Sequence, residues 1–96
     1  MPVYIINNMS IHDLGESKTY AKVFVRTIQP FGGKGLPAQN SPTPIEGRWP
    51  FDRTGLLEFP TRELAEQSAN SAEYQANAVH RKAGTTSNMV VLEGMG

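Results

Sequence analysis

The chain has 96 residues, the size of one domain, and leaves no room for two independent cores. Its charges balance at a formal net of zero and neither sign forms a run, which excludes the basic footprint of a nucleic-acid or membrane-surface protein. With no cysteine it has no disulfides and no thiolate zinc site, a composition that fits a reducing compartment, the cytosol by default.

The N-terminus lacks the basic region, apolar stretch and cleavage site of a secretory signal, so no export is expected. No apolar run approaches the roughly 20 residues a membrane helix needs. Val3 to Met9, rich in β-branched residues, predicts a first strand that turns polar at Asn7 and Asn8. Asp13 and Glu16 have the spacing of a capping box and start a helix. Along it Tyr20, Val23, Phe24, Thr27, Ile28 and Phe31 make one apolar stripe, which Pro30 and Gly32-Gly33 end.

The segment from Lys34 to Pro50 is rich in proline and glycine and predicts only a weak edge strand near Gly35 to Ala38, where Pro37 is tolerated because an edge need not donate. Arg53 to Phe59 is a clear strand, with Gly55, Leu57 and Phe59 on one face and Thr54, Leu56 and Glu58 on the other. Pro60-Thr61 stops it and caps a helix carrying Leu64, Ala65, Ser68 and Ala69. Asn70 or Ser71 restarts a helix to about Lys82, with Ala76, Val79 and Ala83 at helical spacing and Gly84 as its C′ residue. Met89 to Leu92, apolar on both faces, predicts a last strand inside the sheet.

The order strand, helix, weak strand, strand, helix pair, strand predicts one α+β domain over 1–96. It is a ferredoxin-like βαββαβ fold with an antiparallel sheet and its helices on one face. The other face stays bare, and a partly apolar face must be covered. A second copy of so small a chain is the expected cover, making a homodimer.

Four blocks carry a family likeness: Pro44-Ile45-Glu46-Gly47-Arg48-Trp49-Pro50, Leu57-Glu58-Phe59-Pro60-Thr61, Ser71-Ala72-Glu73-Tyr74-Gln75 and Val91-Leu92-Glu93-Gly94. In order and spacing they resemble the bacterial domain-of-unknown-function family numbered thirteen-thirty, over nearly the whole chain. The resemblance implies a dimeric α+β barrel, in which two ferredoxin-like sheets face each other around a small-molecule cleft. Ala72 stands where the family has proline, the loop between Met9 and Tyr20 looks longer, and Pro37 interrupts the family's second strand.

Glu58 is the sharpest candidate for chemistry, because a carboxylate amid apolar strand residues needs a partner or a raised pKa, and a general base needs such a perturbed group. It reads more readily as one half of an ion pair with Arg53 or Arg48, or of a pair across a dimer interface, because structural pairs often perturb carboxylates. Trp49, in a Gly/Pro-rich turn, reads as a cleft lid or an anchor in the partner subunit. Arg48 and Arg53 are candidates for holding an anionic substrate group.

One of Asn7 and Asn8 must face the open side of the sheet, where it would orient a substrate, or else bond to loop backbone. His12 lies in the loop after the first strand, near a cleft mouth. With His80 it lacks metal-ligand spacing, so no metal is expected. Tyr20 and Tyr74 read as packing residues. The functional expectation is a small-molecule-binding barrel dimer, needing no cofactor and bound to neither nucleic acid nor membrane. By fold-level analogy it carries out proton transfer or oxygenation of a small carbonyl or phenolic compound, with Glu58 as base. The alternative is a non-catalytic homodimeric binding or assembly protein in which the same residues hold the subunits together.

Overall fold

An apolar strand in mid-sheet satisfies its backbone only if it has a neighbour on each side. Val3–Ile11 (β1) is that strand in this protein, seen in a computed structural model that describes residues 1–36 and 42–94. Chain order continues through Leu14–Ile28 (α1), Lys34–Gly35 (β2), Arg53–Phe59 (β3), Arg62–Ala69 (α2), Ala72–Gly84 (α3) and Thr85–Glu93 (β4). The four strands lie in the order β2-β3-β1-β4, every pairing antiparallel, as a ferredoxin-like sheet requires.

Register fixes which residues share a face, because successive side chains alternate. Ile5 pairs with Leu57, Asn7 with Gly55 and Met9 with Arg53; these face the helices. Tyr4 pairs with Glu58, Ile6 with Leu56 and Asn8 with Thr54; these face away. Residues of all three helices stand over the first set, so the helices cover one side of the sheet. Val3, Ile28, Phe59 and Ala65 form the buried core between the layers, with Phe24, Phe31 and Leu64 packed on it.

Each helix starts where a side-chain oxygen accepts an orphan backbone N–H. Asp13 accepts from Glu16, Thr61 from Leu64 and Ser71 from Tyr74. α1 runs into a short 3-10 turn, Gln29–Phe31, holding Pro30, and Gly32 closes it with a left-handed φ of 77°. A buried hydroxyl joins two helices: Ser68 Oγ of α2 donates to the carbonyl of Thr27 of α1 at 2.8 Å. Asn77 Nδ2 donates to the carbonyl of Tyr20 at 3.0 Å, tying α3 to α1.

Five expectations need correction. β4 is an outer strand and not an inner one; Val90 and Leu92 are apolar yet 53% and 51% exposed, so its two-faced apolarity does not reflect rank in the sheet. The Ala76, Val79 and Ala83 stripe points to solvent, and α3 packs instead through Asn77 and Ala78. Gly84 is the last helical residue and its φ is not positive; it is needed for closeness, because a Cβ there would stand 2.8 Å from the Asp13 carbonyl and 3.0 Å from the Ser17 amide nitrogen. The stretch before α1 is not a long loop, since β1 continues to Ile11 and α1 begins at Leu14. β2 begins one residue earlier than predicted and ends at Gly35, leaving Leu36 outside the strand, while Pro37 and Ala38 lie outside the described residues.

Candidate functional site

Small residues on one layer opposite a missing side chain on the other leave a gap that close packing would otherwise close. Such a gap lies between the sheet and the helices, a cavity of about 320 Å³. Its floor is the inward set of the sheet, with Gly55 at the centre. Its roof includes Ala21 of α1, Ala65, Ser68 and Ala69 of α2, and Tyr74 of α3. A Cβ at position 55 would meet no protein atom within 4 Å, and Gly55 is part of the cavity lining, so the space above it belongs to the cavity.

Three polar features mark this mostly apolar wall. Asn7, directly across from Gly55, has a buried side-chain oxygen with no hydrogen-bond partner among the described residues. Buried polar atoms in folded proteins are nearly all paired, so this acceptor is left without its usual partner in a residue of the cavity lining. Arg53 is the one charged residue of the lining, and no carboxylate accompanies it there among the described residues. The third is the pair Tyr20 and Tyr74, whose hydroxyls stand 3.5 Å apart. Burial, and then the Tyr74 hydroxyl, push the pKa of Tyr20 up, against a smaller opposing influence of Arg81. Tyr20 therefore stays protonated and acts as a donor.

The opposite face of the sheet is built differently. Trp49 Nε1 donates to Thr54 Oγ1 at 3.1 Å, and Thr54 Oγ1 donates to Asn8 Oδ1 at 3.0 Å. Trp49 also meets Phe51 edge to face, with centroids 5.6 Å apart. Asp52 anchors the end of this connection on β1, accepting the Ile11 amide N–H at 2.7 Å. Glu58 lies on the same face, 3.4 Å from Lys34 of β2. Tyr4, Ile6, Leu56, Val90 and Leu92 complete that face as a partly exposed apolar patch.

The sequence candidates therefore divide. Asn7 and Arg53 meet at the cavity. Asn8, Trp49 and Glu58 are on the far side of the sheet, and Arg48 is exposed in the connection leading to Trp49. The partner of Glu58 is Lys34, which sequence spacing did not single out; Arg53, offered as that partner, faces the other way. His12 is exposed, its Nε2 2.6 Å from Thr86 Oγ1, and His80 Nδ1 stands 2.7 Å from Glu16 Oε2. Among the described residues no three His, Asp or Glu side chains gather as a metal-ligand set, and no helix is long and apolar enough to cross a membrane.

Sequence reasoning treated Tyr20 and Tyr74 as packing, and it did not single out Gly55, Ser68 or Ala69 as site residues. Only their joint placement makes them a site. The glycine at the middle of a strand was the available signal, since a strand glycine marks a place where something other than a side chain fills space.

The model of one protein family, described as a domain of unknown function (DUF1330), matches residues 2–95. The chain belongs to that family. No curated protein matches it in sequence. Among solved structures it is similar to a protein of unknown function from Rhodopseudomonas palustris at 15% identity and TM-score 0.84, covering 99% of this chain and 83% of that one. It is similar to SnoaB, a cofactor-independent oxygenase from Streptomyces nogalater, at 14% identity and TM-score 0.60, covering 99% and 94%. A dimeric protein of unknown function and ferredoxin-like fold from Bacteroides fragilis matches at 15% identity and TM-score 0.61, covering 97% and 96%. At these identities the likeness carries the fold: an α+β chain of the ferredoxin-like kind.

Proposed function

We propose that this family member binds a small, largely apolar molecule in the cavity between sheet and helices, and that two copies pair through the bare face of the sheet. The observation that carries the first half is the apolar space of about 320 Å³, at the lower end of ligand pockets generally, with Asn7, whose buried side-chain oxygen has no partner among the described residues, in its lining. Native mass spectrometry of protein purified from its producing cells tests it. A co-bound mass that is released on unfolding is expected, and an empty protein under conditions that preserve complexes counts against it.

Pairing is supported by the apolar patch of Ile6, Leu56, Val90 and Leu92, and by a neighbour described as dimeric. On this reading Trp49 borders the interface, and Glu58 with Lys34 becomes part of it. A weight-average mass of one chain at micromolar concentration in sedimentation would remove it.

Binding is preferred over catalysis because the cavity lining, among the described residues, contains no carboxylate or imidazole to take a proton, and Tyr20 is a donor. The enzymatic reading keeps one support, the neighbour described as a cofactor-independent oxygenase. It predicts that the protein loaded with its own ligand consumes dioxygen. Glu58 would act as a base only in a cleft closed by the second copy, away from this cavity. Oxygen-electrode traces that differ between wild type and Glu58→Gln would favour that version.

A further inference from the structure

The volume, the charge and the missing side chain at position 55 together describe what the cavity takes. At about 30 Å³ for each water-sized group, 320 Å³ holds roughly ten such groups, the size of a single ring with a short chain. Arg53 brings one positive charge to the wall, and no acidic residue of the lining offsets it among the described residues. It takes part in no ion pair among those residues. A half-buried guanidinium in an apolar wall is best satisfied by an oxyanion, which it holds in fork geometry.

Asn7 stands beside it on the floor. The register puts Arg53 across from Met9 and Gly55 across from Asn7, so Arg53 and Asn7 are diagonal neighbours on one face. Such positions lie roughly 7–8 Å apart, a span one ligand of this size covers. On the same face, next to Arg53 along β3 and across from Asn7, lies Gly55, where an added Cβ meets no protein atom within 4 Å.

We propose that the cavity selects a small organic monoanion of roughly ten non-hydrogen atoms, its charged oxygen on Arg53 and its body extending over Asn7, with Gly55 setting the size limit. This rests on the cavity being the ligand site and adds the class of ligand. A Cβ added at position 55 would take up ligand volume without displacing protein, so the residue there acts as a stop on ligand length.

The test uses three probes of one shape: 3-phenylpropanoate, its neutral amide and the cationic 3-phenylpropylamine, titrated by calorimetry into the full chain. The anion is expected to bind about tenfold more tightly than the amide, as a charge-assisted contact does against a neutral one, and the amine not at all. Arg53→Gln should bring anion and amide to within about twofold of each other. Gly55→Leu should abolish binding of all of them with the circular dichroism spectrum unchanged. Gly55→Ala, the smaller change, should weaken binding by a lesser factor and serves if Gly55→Leu does not fold. Equal binding of anion, amide and amine to the wild type, or a preference that survives Arg53→Gln, overturns the anion assignment while leaving the cavity as a site. Undiminished binding in Gly55→Leu or Gly55→Ala overturns the size stop, and no binding of any probe overturns both the assignment and the cavity reading.

Discussion

The same seven residues of β3 serve two surfaces that have almost nothing in common. Toward the helices, Arg53, Gly55, Leu57 and Phe59 present a charge, a gap and two apolar groups, one of which, Phe59, is 2% exposed. Away from them, Thr54, Leu56 and Glu58 each meet a neighbour on the sheet surface, in a hydrogen-bond chain, an apolar patch and an ion pair. The inner face is held by burial and borders the cavity, while the outer face carries a hydrogen-bond chain, an ion pair and a partly exposed apolar patch. Stability and ligand chemistry should therefore depend on the inner face, and assembly on the outer.

The largest expected break is Phe59→Ala, which deletes the most buried large side chain and should cost about 3–5 kcal/mol in urea unfolding, enough to unfold much of so small a domain. Asn77→Ala removes the tie from α3 to the Tyr20 carbonyl and should cost about 1–3 kcal/mol in the same measurement. Tyr20 sharpens the contrast through pH. Its pKa is raised in the folded state, so above the ordinary tyrosine value of about 10 the unfolded chain gives up a proton that the native one keeps. Stability should hold below that pH and fall above it, and Tyr20→Phe should flatten the fall in melting curves taken across that range.

On the outer face the effects on folding shrink. Lys34→Gln, at a side chain 66% exposed, should change stability by less than about 1 kcal/mol. Leu92→Lys should change it by no more than about 0.5 kcal/mol in the single chain, yet reduce a paired species to one-chain mass in sedimentation. A large loss of folding stability in Leu92→Lys at concentrations where the chain is single would erase the distinction between the faces.

Much of the fold was legible because local chemistry decides it. Asp13, Thr61 and Ser71 cap helices as their side chains and spacing demand, and β3 occupies the predicted Arg53 to Phe59. Alternation in β3 was also legible, and it separates Arg53 from Glu58. The rank of β4 was not, because an exposed apolar edge reads in sequence like an inner strand. Nor was the packing face of α3, where Asn77 is buried by a backbone partner fifty-seven positions away in the chain and the apolar Val79 faces outward. The cavity was illegible for a related reason: it is defined by atoms that Gly55, Ala65 and Ala69 lack, and no periodicity records what several distant segments jointly leave out.

The single tryptophan is tethered by its indole N–H to Thr54 on the side of the sheet away from the cavity, while Tyr20 and Tyr74 line the cavity itself. The chain thus carries two native optical reporters on separate surfaces. Indole emission follows what docks outside, and once Tyr4 of the outer face is replaced by Phe, phenol absorbance follows what enters within, so filling and pairing can be observed in one cuvette without a label.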